Sequence, residues 1–307
     1  MENSTLSFYF RFTMFANIGH YRFMVFIFCL LLFIFTIFTN LLMIVVISQQ
    51  TTLHEPMYIF IACLSVNALY GSSGFFPRFL MDLLSDTHLI SRPACFTQIY
   101  VIYSYASCEL TVLSIMAYDR YIAVCLPLHY HTKMTLKTVV KLTALAWILP
   151  AFSLAACLCL SATLPLCGSE IHKVYCANWN VVKLSCLNTA VNNVVGMLLT
   201  VATIFLPLFY ILYTYLRIVA ICWKSSAEFK GKVLESCLPH TISFVIYSIA
   251  GFFVVLSFLF DMLYMQFGSK EIPQSFENFM AMEIFLIPPI INPLIYGFKL
   301  TQIQNSV

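Results

Sequence analysis

Seven stretches of this chain, near residues 23–48, 56–80, 95–124, 139–163, 190–223, 232–260 and 273–298, are apolar for long enough to cross a bilayer as a helix, which takes about 20 residues. In hydrocarbon every backbone N–H and C=O needs an internal partner, so runs of this length fold as helices packed side by side. Composition points the same way: 61% of the 307 residues are apolar and only 9% charged, whereas about a quarter of the residues of an ordinary soluble domain carry charge. The expected fold is an all-α, seven-transmembrane helical bundle, a single domain over residues 1–307. Asn67, Gly71 and Pro77 interrupt the second run, but membrane helices tolerate such breakers when neighbours satisfy the freed backbone groups.

An odd number of spans places the termini on opposite faces. With the N-terminus outside and the C-terminus inside, the inner face collects Arg120, Lys133, Lys137, Lys141, Arg217, Lys224, Lys230, Lys232 and Lys299, nine of the 16 basic residues, the bias that orients membrane proteins. Asn3-Ser4-Thr5 is a glycosylation acceptor on the outer side. The first apolar run is as long as a full span and lacks a small-residue cleavage site, so it is expected to serve as the insertion signal itself. Four cysteines, Cys95, Cys167, Cys176 and Cys186, fall on the outer side. An even set in an oxidising compartment reads as two disulfides, with three pairings open.

No phosphate-binding glycine loop, GxSxG, HExxH or CxxC pair is present, and Cys157-Leu158-Cys159 is too closely spaced and too deep in an apolar run for zinc. Neither a metal nor another cofactor is expected, and no nucleic-acid partner. His54, His129, His131 and His240 are read as packing near the inner surface. An intramembrane protease needs two facing carboxylates; Tyr118-Asp119 supplies half of such a signature, and the partner Gly-x-Gly-Asp is absent. A multispan transporter is the alternative, although the internal repeats and paired broken helices of that class are not visible. The acid and base Asp119-Arg120 close the third apolar run. A charge pair at a membrane boundary is either a latch or a snorkelling anchor.

Taken together, Leu53-His54-Glu55-Pro56-Met57-Tyr58, Met116-Ala117-Tyr118-Asp119-Arg120-Tyr121 with Pro127-Leu128-His129-Tyr130, Lys232 with Ser236-Cys237 and His240, and Asn292-Pro293-Leu294-Ile295-Tyr296 resemble the motif set of odorant receptors. These are rhodopsin-like G-protein-coupled receptors. The wording of Leu64-Ser65-Val66-Asn67 and Tyr296-Gly297-Phe298-Lys299 is similar to fish-type members. The resemblance covers nearly the whole chain. It departs from the pattern at Thr39 before Asn40, at Leu126 where the family has a lysine, at Glu235-Ser236-Cys237 in the sixth span, and near Tyr247-Ser248.

The resemblance implies a non-enzymatic plasma-membrane receptor that binds a small-molecule odorant from outside and activates a stimulatory olfactory-type G protein inside. It implies pairing of Cys95 with Cys176, leaving Cys167 for Cys186, and a switch made of Asp119, Arg120, Tyr215, Asn292, Pro293 and Tyr296. It also places a ligand pocket among Ile102, Tyr103, Ala106, Ser107, Leu199, Thr203, Ser248, Gly251, Phe252, Val255, Met282 and Phe285. Helical spacing puts Ile102, Ala106 and Glu109 on roughly one face of the third span. A lining of this kind suits a neutral or weakly polar molecule, and no acid stands at Ile102 to receive an amine. Glu109 falls within about 20° of the Arg120 face, eleven residues on at 100° each, and an unpaired carboxylate inside a bundle is too costly to persist. It is expected to be protonated and hydrogen-bonded, or to hold sodium weakly with Asn67, Ser114 or Asn292, because the second acid of the sodium site in related receptors is Ala68 here. Glu283 is a further carboxylate within a span, facing either the pocket or outer water.

Overall fold

A computed structural model describes residues 8–304 apart from 18, 51, 52, 54 and 268–273; the side chains of 16, 17, 20, 253–281, 284 and 299–304 also lie outside the described set. Seven long helices form the bundle: α1 Arg22–Gln49, α2 Pro56–Leu84, α3 Arg92–Cys125, α4 Leu136–Ala162, α5 Ala190–Trp223, α6 Ala227–Phe267 and α7 Gln274–Gln304. Six are long and apolar enough to cross a membrane, and the apolar stretch Phe285–Phe298 belongs to the seventh. Most outrun the apolar runs that announce them. The inner end of α6 starts at Ala227, where Lys232 donates to Glu228 one turn away at 2.7 Å, an exposed pair that suits the interface.

Local chemistry sets the starts. Pro56 opens α2 at a position where its missing N–H costs nothing. Ser91 Oγ caps α3 by accepting from Ala94 N at 3.4 Å, and Thr135 Oγ1 caps α4 by accepting from Thr138 N at 3.3 Å.

Prolines inside helices leave a carbonyl unpaired four residues back, and neighbouring helices answer two of these. Pro293 in α7 strips the partner from the Pro289 carbonyl, which instead accepts from Asn40 Nδ2 of α1 at 2.8 Å. Pro150 in α4 does the same to Ala146, whose carbonyl lies 3.2 Å from Thr111 Oγ1 of α3. In α5, Pro207 follows a widened π turn, Val201–Phe205, the usual way a helix absorbs such a defect.

α3 is the central helix, packing against α2, α4, α5 and α6. Gly71 permits a close contact with α2, because a Cβ there would collide with the Tyr105 ring. Outward faces are apolar, as lipid contact requires: Phe28 is 62% exposed, Phe152 77% and Leu216 60%.

A small sheet covers the outer mouth, an element outside the all-α expectation for the bundle itself. Strand β1 Tyr9–Phe12 lies between β2 Leu89–Ser91, antiparallel to it, and β3 Glu170–Ile171, parallel to it. Phe10 and Phe12 point inward and are almost fully buried, the alternation of a half-buried strand. Arg78 at the outer end of α2 grips the buried Asp82 through two hydrogen bonds, 2.7 and 2.6 Å, and donates to Leu89 O at 2.7 Å. Two disulfides complete the cover, Cys95 to Cys176 and Cys167 to Cys186. The first fastens the loop after α4 to the start of α3, and the second closes that loop on itself.

Candidate functional site

Beneath the cover lies a cavity of about 190 Å³ between α3, α4, α5, α6 and the second outer loop. At roughly 30 Å³ per liquid water this is room for about six waters, enough for a compact organic molecule. Ile99, Ile102, Ala106 and Leu110 of α3 form one wall, residues that share a helical face. Tyr247 closes the inner side of the α6 wall, donating from its hydroxyl to Ala106 O at 2.7 Å. Phe285 of α7 adds an aromatic face, stacked on Phe75 of α2 at 5.0 Å between ring centres. The loop helix Asn178–Val182 roofs the outer end.

Of the twelve residues expected around a ligand, Ile102, Tyr103, Ala106, Ser107, Leu199, Thr203, Ser248, Gly251 and Phe285 line this cavity. Phe252 does not: it is 61% exposed, because one step along a helix from Gly251 turns the side chain by about 100°, here onto the outer surface. Met282 packs on the core outside the wall. Val255 lies among side chains outside the described residues. Glu283 is half-buried and absent from the wall.

The wall also holds residues that the sequence reading left out, among them Tyr175, Asn178, Trp179, Asn192 and Asn193. Their signal was the polar pair Asn192-Asn193 in the first turn of an apolar run. The hydroxyls deeper in the cavity are already committed to their own helices: Thr203 donates to Leu199 O at 2.8 Å, Thr200 to Gly196 O at 2.8 Å and Ser248 to Phe244 O at 2.7 Å.

Below the cavity, Glu109 is buried and accepts from two amides, Asn67 Nδ2 on Oε2 and Asn292 Nδ2 on Oε1, each at 2.7 Å. Asn67 Nδ2 also reaches Tyr105 O at 3.0 Å. Ser114 turns away to donate to Leu110 O at 2.8 Å. Because the buried Ala68 supplies no second carboxylate, and amide donors point at both Glu109 oxygens, these residues do not fit a two-carboxylate sodium site. They form a hydrogen-bonded knot joining α2, α3 and α7.

Further in, His240 of α6 is fully buried. This differs from its expected place near the inner surface, because α6 continues more than three turns beyond it to Ala227. Its Nε2 donates to Leu113 O of α3 at 3.0 Å; a carbonyl only accepts, so Nδ1 is the bare nitrogen of the neutral ring and accepts a hydrogen bond from the Tyr215 hydroxyl of α5. One imidazole thus ties three helices. Tyr296 of α7 is buried nearby in the core.

At the inner edge Asp119 is fully buried, and Arg120 is paired with it. Arg120 Nε donates to Asp119 Oδ2 at 3.0 Å, while Nη1 crosses to α6 and donates to Ser236 Oγ at 2.7 Å. The other Asp119 oxygen accepts from Tyr130 at 2.9 Å. Burial, and then the neighbouring Asp119 carboxylate, push the Tyr130 phenol above its ordinary range, so it stays protonated and keeps donating. From Ala106 to Arg120 is fourteen residues, roughly 20 Å of helix at 1.5 Å per residue, so the cavity and the Asp119-Arg120 pair lie at opposite ends of one helix. Asn3 lies outside the described residues.

Comparison with known proteins gives a single answer. A family model described as olfactory receptor matches residues 28–307. The chain is 30% identical over 286 residues to human olfactory receptor 6N1, covering 92% of this chain and 88% of that protein. It is 31% identical over 280 residues to olfactory receptor 1D2 of Pongo pygmaeus, covering 90% and 85%. With olfactory receptor 4B13 of Mus musculus the identity is 30% over 285 residues, covering 92% and 89%. A transporter finds no support among these matches.

Proposed function

The chain belongs to the olfactory receptor family and is a chemosensory G-protein-coupled receptor crossing the plasma membrane several times, and on that premise we propose that it binds an odorant in the cavity below the second outer loop and so promotes nucleotide exchange on a stimulatory olfactory-type G protein. The family is one of receptors, not enzymes. The observation that carries the proposal is that α3 and α6 line the cavity at their outer halves and are cross-linked by Arg120 and Ser236 at their inner ends. A ligand that draws the outer halves together in a new packing therefore biases the same two helices where a G protein would enter.

In this reading Asp119 holds Arg120 in its closed orientation, Tyr215 and His240 keep α5 and α6 on α3, and Pro293 with Asn292 lets α7 adjust. Glu109 serves as a hydrogen-bonded brace between α2, α3 and α7 and not as an ion site. The two disulfides keep the roof over the cavity, and Asn3 carries the outer glycan. The experiment is nucleotide exchange on the heterotrimer in membranes, paired with ligand-induced thermal stabilisation of the purified receptor. Arg120→Ala should keep the stabilisation and lose the exchange. A mutant that still drives full exchange would reduce Asp119-Arg120 to an interfacial anchor.

A further inference from the structure

Three asparagine side chains at the outer end of the cavity carry buried polar atoms that meet no hydrogen-bond partner among the described residues: Asn178 Oδ1, Asn192 Nδ2 and Asn193 Oδ1. Asn192 is itself 7% exposed. Asn193 gives one of its two N–H donors to Thr189 Oγ1, 3.4 Å away. Buried polar groups in native proteins are almost always paired, and leaving one orphaned is costly. The deeper hydroxyls of Thr200, Thr203 and Ser248 donate their protons to their own helices, so the unpartnered buried polar atoms of the wall gather at the asparagine end.

Among the described residues the wall carries no charged side chain. Lys173 is buried in the same loop and acts on Tyr103 electrostatically, but it does not line the cavity. A bound ion would therefore be desolvated there without a counter-charge in contact, an expensive arrangement.

We propose that the receptor selects an uncharged molecule whose one end is a primary carboxamide or an equivalent donor-and-acceptor group, held by Asn178, Asn192 and Asn193, and whose other end is a short apolar chain lying against Ile102 and Phe285. A carboxamide offers two N–H donors and one carbonyl, the complement of two acceptor oxygens and one donor nitrogen. The apolar remainder fits the aliphatic and aromatic surface below. This rests on the reading of the cavity as the ligand site.

The test uses the purified full chain and six-carbon probes of one skeleton: hexanamide, hexan-1-ol, hexanoate, hexylammonium and hexane. Thermal stabilisation reads binding, since a ligand that binds only the folded state raises its midpoint; nucleotide exchange in membranes reads coupling. Hexanamide should stabilise at the lowest concentration, hexan-1-ol at a higher one, and the two ions and hexane least. Asn192→Leu should raise the hexanamide concentration giving half the effect by about tenfold, the loss expected for one buried hydrogen bond. Asn192→Asp, which replaces the donor by an anion, should turn the preference toward hexylammonium, a gain that a misfolded variant cannot show. Equal or better binding of hexanoate or hexylammonium by the unaltered receptor, no stabilisation by any probe, or an Asn192→Leu variant that binds hexanamide unchanged would each overturn the proposal. Stabilisation by hexanamide without exchange would leave the ligand class standing and count against the coupling proposed above.

Discussion

Ser236→Ala removes one hydroxyl, and with it the hydrogen bond between Arg120 and α6. That bond is 2.7 Å long, comes from a charged donor, and its arginine side chain is only 15% exposed. Bonds to charged groups contribute about 1.5–3 kcal/mol when buried, and the value here belongs at the low end because the guanidinium reaches some water and keeps Asp119 in either arrangement. A loss of about 1.4 kcal/mol on the closed side alone multiplies the open-to-closed ratio by about ten. While the open state is a minority, basal nucleotide exchange rises by that same factor. The assay is ligand-free exchange in membranes, normalised to receptor number by surface labelling, with Ser236→Thr as a control that retains the hydroxyl. The His240 contact to Leu113 O is untouched, so α6 is loosened and not released, and the response to ligand survives. Unchanged or lower basal exchange in Ser236→Ala, at equal receptor number, would refute the idea that this contact restrains α6.

Four other outcomes are expected. Cys95→Ser or Cys176→Ser should abolish surface expression or response while Cys108→Ser is mild; peptide mapping that joins Cys95 to Cys167 would contradict the bridges described. Gly71→Ala should destabilise by about 1–3 kcal/mol through overpacking against Tyr105, whereas Gly251→Ala, whose Cβ would meet nothing within 4 Å, should leave thermal stability unchanged. Asn40→Leu orphans the Pro289 carbonyl and should lower the melting midpoint by an amount equivalent to about 1–3 kcal/mol, with the ligand concentration dependence preserved. Replacing sodium by choline should leave agonist affinity within about twofold, because the amides of Asn67 and Asn292 already engage both Glu109 oxygens; a sodium effect abolished by Glu109→Gln would show that one carboxylate suffices for a cation.

The bundle was legible because crossing a membrane demands long uninterrupted apolar runs, a requirement that overrides local propensity. Strand β1 was not: Tyr9-Phe10-Arg11-Phe12 alternates outward and inward over only four residues, too few to separate from chance before a span begins. On α3 spacing put Ile102 and Ala106 on one face with Tyr103 and Ser107 flanking it, and the family resemblance placed a pocket there; the cavity lies against these residues. On α6 the reading slipped at Phe252, because Ser248 and Gly251 face the cavity and the next residue along the helix turns about 100° away, onto the outer surface. The asparagines of the roof were missed for another reason: polar residues at a span boundary look like interfacial loop unless a second outer segment is known to fold back over them. His240 was misplaced because an apolar run marks where hydrocarbon ends and says nothing of how far a helix continues into the cell.

The outer sheet imposes an order of events on the making of this receptor. Strand β1 leaves the ribosome first, yet one neighbour, β3, follows four spans later; Thr13 and its partner His172, joined at 2.8 Å, are 159 residues apart. At about 5–20 residues per second the N-terminal segment waits roughly 8 to 30 s for that partner to exist. Until then β1 can pair only with β2, and the edge that will meet β3 stays open to the lumen. Strand β1 is made before every span, yet its second edge is seated only after α4 and the loop beyond it exist.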